Sequence, residues 1–139
     1  IQIRIAADKI EFTASEMTTL AGKLETRIAD AKSAGKDVTA MTKSLAEMKA
    51  EIANASVQAR ATVSLIANLK LDNGDKKLME SNHAAFKSAR GKLKAGRDAL
   101  DDARKDARSI VKALKGMHVG ATATTTHSTG SGQATTTTP

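Results

Sequence analysis

Between Lys76 and Leu114, apolar residues recur at alternating steps of three and four. Met79, Phe86, Leu93, Leu100, Ala107 and Leu114 fall at one position of a seven-residue repeat, and Asn82, Ala89, Gly96, Ala103 and Ile110 at the other. This is the signature of a long helix with a narrow apolar seam, which needs partner helices along its length to be stable in water. The same period runs through Ile3, Ala7, Ile10, Ala14, Met17, Ala21, Leu24, Ile28 and Ala31, predicting a first helix over 1–34. Ile1 to Ile5 also alternate strictly, so an extended start is an open alternative there. A third seam, from Val38 through Met41, Leu45, Met48, Ile52, Ala55, Ala59, Thr62 and Ile66 to Leu69, predicts a helix over 38–71, with the last helix over 75–116.

Two short breaks separate these periods. Gly35 suits the left-handed residue that ends a helix, and Asp37 or Thr39 can cap the next one. Asn73-Gly74 is a turn dipeptide in which both residues tolerate positive φ, and Asp75 can cap the third helix. Inside that helix, Gly96 stands at a seam position and permits close approach of a neighbour, whereas Gly91 is off the seam and could mark a kink. Short connections between rods of about 50–60 Å, at 1.5 Å per residue, force neighbours to be antiparallel. The expected fold is all-α: an elongated up-down-up three-helix bundle over 1–116.

From 117 the character changes. Residues 121–139 contain no charged and no large apolar side chain and are dominated by Thr, Gly and Ser. Nothing there offsets the entropy of ordering, so a disordered or extended low-complexity tail over 117–139 is expected.

Composition narrows the core and the chemistry. Of the 40% hydrophobic residues much is Ala, and aromatics are 1%, only Phe12 and Phe86. Such a core is thin and suits packed helices, and self-association that covered more apolar surface would add to its stability. Cys is absent, which excludes disulfides and thiolate metal sites. No apolar run approaches the length of a membrane span. There is no Gly-rich phosphate loop, no nucleophile elbow and no zinc-binding pair of histidines on one helical turn. His83 reads as a solvated surface residue, and His118 and His127 lie in or near the tail. Asp98, Asp102 and Asp106 share one helix side, but interleaved Arg and Lys make it a salt-laced surface rather than a cation site. Neither catalytic residues, a cofactor, a metal nor a small-molecule substrate is therefore expected.

The formal charge is +7, with a sequence pI near 9.8. One feature concentrates it. Lys87, Arg90, Lys94 and Arg97 follow a three-four-three spacing, so they share a face of the third helix as a candidate anion-binding stripe for nucleic acid or an anionic envelope polymer. The competing account pairs these cations with Glu11, Glu16, Glu25 and Asp30 of the first helix. The near absence of aromatics leaves little for nucleic-acid bases to stack on.

The turn Ile-Ala-Asp-Ala-Lys-Ser-Ala-Gly-Lys-Asp-Val-Thr at 28–39 and the repetitive Ala-Arg/Leu-Lys pattern from 89 to 115 resemble a loosely defined group of small exported helical-bundle proteins of uncultured small-genome bacteria. That resemblance implies a removed leader peptide, consistent with a start at Ile1, and a Thr-rich or similar tail; it supplies no activity and no site residues. The function expected is a non-enzymatic, extracellular or cell-surface protein with a structural or protein-interaction role, self-associating into an assembly or filament or binding another surface protein. The alternative is a polyanion-binding module.

Overall fold

Three helices account for the three periodicities. In a computed structural model of the chain, which describes residues 2–122 and side chains as far as Met117, they are α1 (Gln2–Ser33), α2 (Thr39–Ala67) and α3 (Lys76–Thr122). The helix is already formed at Gln2, so the alternation at the start is not a strand. Its isoleucines divide between the flank of the seam, where Ile3 packs against the core, and the exposed side, where Ile5 lies.

The connections match the residues that predicted them at Gly35, Asn73-Gly74 and Asp75, but not at the start of α2. Gly35 adopts φ +83°, the N–H of Lys36 reaches back to the carbonyl of Ala31 and that of Gly35 to Lys32, a Schellman ending for α1. Neither Asp37 nor Thr39 is the cap of α2: Val38, whose side chain can accept no hydrogen bond, stands at the N-cap, and the Asp37 carboxylate beside it accepts from the Thr39 N–H at 3.0 Å and its hydroxyl at 2.8 Å. Asn73 and Gly74 have φ of +48° and +88°. Asp75 caps α3 by accepting from the N–H groups of Lys77 and Leu78 at 2.8 and 3.3 Å.

All three helix pairs pack together, α2 against α3 most extensively and α1 against α3 least. The core is the predicted seam: Ala7 to Ile28 on α1, Val38 to Thr62 on α2 and Ala89 to Leu114 on α3. Thr62 is its buried polar member, and its hydroxyl donates to the Gln58 carbonyl one turn back at 2.8 Å.

Three boundaries depart from expectation. First, α2 ends at Ala67 rather than Leu71. The N–H of Leu69 turns back to the Ile66 carbonyl, and the Asn82 side chain captures the Lys70 carbonyl at 2.7 Å, so this backbone is bonded outside the helix. Second, α3 continues six residues past 116, because Leu114 is buried and Met117 packs against the core beyond it. The tail expected over 117–139 therefore begins in helix; residues 123–139 lie outside the described residues. Third, the seam positions Met79 and Phe86 are 50% and 37% exposed. Ile10 lies against Gly96 and Gln58 also borders it. Counting back from that contact at 1.5 Å per residue, α1 begins and α2 ends about level with residues 87–88 of α3. The first three turns of α3 project beyond both partners, and only the 68–75 connection accompanies them.

Gly91 and Gly96 of α3 separate cleanly. A Cβ on Gly96 would lie 3.3 Å from Cδ1 of Ile10 and 3.5 Å from Cβ of Gln58, whereas one on Gly91 would meet nothing within 4 Å. Helical structure continues through Gly91. In urea unfolding, Gly91→Ala should raise stability by about 0.5–1 kcal/mol through helix propensity, and Gly96→Leu should lower it by about 1–3 kcal/mol by overfilling the seam. Equal midpoints for the two variants would contradict this packing.

Candidate anion-binding face

Lys87, Arg90, Lys94 and Arg97 are all exposed on α3, as their spacing requires. The same steps carry the face further. After Asp101 it resumes with Arg104, Arg108, Lys112 and Lys115, all exposed. Lys or Arg thus stands at eight of the nine positions 87, 90, 94, 97, 101, 104, 108, 112 and 115, with two successive steps of four between Arg104 and Lys112 in place of the alternation, which would fall on Val111. The row is about 40 Å long at 1.5 Å per residue. Reading the pattern past Asp101 would have found its second half in the sequence.

The first helix does not neutralise this row. Glu11 turns to α2, where the Ser56 hydroxyl donates to its carboxylate and Arg60 Nε bonds it at 2.9 Å. Glu25 likewise pairs with Lys49 of α2 at 3.1 Å. Among the described residues no ion pair joins α1 to α3. The pairs along the row lie within α3 itself: Lys94 with Asp98 and Arg104 with Asp101, both at 2.8 Å. Asp101 takes Arg104 rather than Lys105, whose ammonium lies 3.9 Å from Asp102. Exposed pairs of this kind contribute at most about 1 kcal/mol and exchange readily for another anion.

On its α1 side the row borders a groove of about 530 Å³. Ile10 and Leu100, both 4% exposed, form its floor with Ala6. Lys9 and Ile5 stand on one wall, and Arg97 and Arg104 on the other. The groove lies between α1 and α3, the least extensively packed of the three helix pairs.

The opposite flank of α3 has the reverse charge. Asp106 and Asp102 face Glu47 and Glu51 of α2 across a shallow cleft that also includes Lys105. Partial burial, then the Glu47 and Asp102 carboxylates, push the Asp106 carboxyl above its ordinary value. Asp98, Asp102 and Asp106 do not converge: Asp98 is tied to Lys94 and Asp106 turns toward α2. Among the described residues no group of three or more His, Cys, Asp or Glu side chains is placed to hold a metal ion. Nor is any helix of the described residues long and apolar enough to cross a membrane. His83 is exposed near the projecting start of α3; the side chains of His118 and His127 lie outside the described residues.

What this arrangement offers chemically is an exposed series of cations for phosphate, sulfate or carboxylate groups repeated along a chain or across a surface.

The two perturbed carboxyls act on stability with opposite sign. Glu11 is held below its ordinary value by the Ser56 hydroxyl, against partial burial and with help from Arg60. Its contribution is present above the unfolded-state value and is lost as pH falls through the folded one. Asp106, raised in the fold, favours the native state in acid, and that contribution disappears as pH rises through its folded value. At pH 7, Glu11→Gln should lower the urea midpoint and Asp106→Asn should raise it. Both differences should shrink as pH falls through the folded-state values, that of Asp106→Asn first and that of Glu11→Gln further into acid, because one carboxyl is raised and the other lowered. A midpoint for Asp106→Asn below wild type at pH 7 would contradict the repulsion with Glu47.

No family model matches this chain, and neither a curated protein nor a solved structure matches it.

Proposed function

We propose that this protein is a non-enzymatic helical module, exported or held at the cell surface, that docks on an anionic partner through α3. The observation that carries this reading is the row from Lys87 to Lys115, with eight cations, one interrupting carboxylate and, among the described residues, no ion pair to α1. With Glu11 and Glu25 paired to α2, and only Lys94 and Arg104 of the row paired within α3, one flank of α3 keeps a net positive field. Such a field attracts polyanions at long range and binds them by releasing their counterions. The scarcity of aromatics argues for reading charge rather than bases.

A second reading, a self-associating structural subunit, draws on the projecting start of α3, where Leu71, Met79 and Phe86 are 85%, 50% and 37% exposed. Apolar groups left at the end of a rod are natural contacts for another rod. Sedimentation of the protein alone, with and without Met79→Ser and Phe86→Ser, reports on that contact independently of any anion.

For the leading reading, linear inorganic polyphosphate titrated at two salt concentrations is the direct test. Affinity should fall as salt rises. The fourfold variant K87E/R90E/K94E/R97E should bind at least about tenfold more weakly, with a shallower salt dependence. Unchanged affinity in that variant, or no binding by the wild type, would end this reading.

A further inference from the structure

We infer that the anionic partner is a lipid surface: the side of the bundle shared by α1 and α3 lies on an anionic bilayer, with Ile5 and Phe12 at the headgroup boundary and the α3 cations over the headgroups. This rests on the reading of the α3 row as anion-binding and adds what α1 contributes beside it.

The α1 residues come from the geometry of the groove. Ile5 and Lys9 stand on its α1 wall, across from Arg97 and Arg104. Phe12 is three residues after Lys9 and seven after Ile5, so it continues the same helix face, and Leu20 comes eight residues later. Ile5 is 59% exposed, Phe12 65% and Leu20 38%. None belongs to the core, whose α1 members begin at Ala7 and Ile10 on the other side. One of the two phenylalanines in the chain is thus held outward beside the longest cationic row. Lys23 and Arg27 extend the positive charge along α1; the carboxylates on this side are Glu16 and Asp30 of α1 and, bonded to Arg104 and Lys94, Asp101 and Asp98 of α3.

Cations with apolar side chains projecting among them suit an anionic bilayer, which offers both charged headgroups and an apolar layer directly beneath. A nucleic acid could stack a base on Phe12, but it offers little to the aliphatic Ile5 and Leu20. A second copy laid on this face would set cation against cation along the α3 row.

The test uses the whole chain with vesicles of phosphatidylglycerol mixed with phosphatidylcholine, vesicles of phosphatidylcholine alone, polyphosphate, and single-stranded DNA. The expected result is salt-sensitive binding to the phosphatidylglycerol vesicles and none to phosphatidylcholine alone. Phe12→Ser should weaken vesicle binding by about tenfold and leave polyphosphate affinity within about twofold. K87E/R90E/K94E/R97E should weaken both. Phe12 is outside the core, and helical circular dichroism of the serine variant confirms its fold. Polyphosphate binding without phosphatidylglycerol binding, or vesicle binding indifferent to Phe12→Ser, would overturn the lipid assignment and leave the anion-binding reading standing. Binding to neither would remove both. Tighter binding to single-stranded DNA that Phe12→Ser weakens would assign the face to nucleic acid instead. A dimer that Phe12→Ser converts to monomer would assign it to self-contact.

Discussion

The approach of Ile10 to Gly96 sets the register of this bundle. Ile10 meets the α3 backbone where a side chain would hold it off, and Gln58 borders the same glycine from α2. Once those three positions are level, the rest of the geometry is constrained. Seven buried residues of α1 fall against the predicted seams of its neighbours, and the first turns of α3 reach past both helix ends, with Phe86 lining a groove beside Ile3 and Ile66. The exposure of Met79 and Phe86 is a result of this register and not of weak apolar character. A thin core of Ala, Gly, Leu, Ile and Met can hold only if each small residue faces a large one, which is the usual way helices interdigitate.

Charge distribution obeys the same constraint. The flanks of each seam decide which helices trade ions. Glu11 and Glu25 lie on the α2 side of α1 and are used there, with Ser56, Arg60 and Lys49. The α3 side of α1 instead brings Lys9 toward Arg97 and Arg104. Like charges face one another across the groove between α1 and α3, with Asp101 bonded to Arg104 as the carboxylate among them. Across the bundle, Asp102 and Asp106 meet Glu47 and Glu51. The molecule is therefore polarised about α3, basic on one flank and acidic on the other, although its overall charge is only moderately positive.

The seams were legible because steps of three and four over so many turns admit one solution, and the buried residues are almost all those the spacing named. The turns were legible from Gly35, Asn73-Gly74 and Asp75, whose conformations have a single physical cause. The ends of α2 and α3 were not, because Asn68 breaks no pattern and Gly116 stops no helix that still has Met117 to bury. Relative register was also hidden: a periodicity describes one helix and says nothing about how far its neighbour reaches. Of the candidate face, Lys87 to Arg97 stood out as a run without acids, while Arg104 to Lys115 was masked by the interleaved aspartates. The outward Ile5 and Phe12 were concealed differently, since Ile1, Ile3 and Ile5 together imitate an extended strand and draw the eye from the side of the helix opposite the core.

An odd number of antiparallel rods has a geometric corollary. Gln2 lies toward one end of the bundle, about level with residue 88 of α3, and Thr122 at the other end. By the alignment at Gly96 they stand about 50 Å apart along the axis at 1.5 Å per residue. Whatever is joined to the two extremities is held at that separation by a stiff strut rather than brought side by side, as an even count of helices would do. The cationic row runs lengthwise along this strut, so a flat anionic support under α3 would lay the strut down and send its two attachments off in opposite directions along the plane.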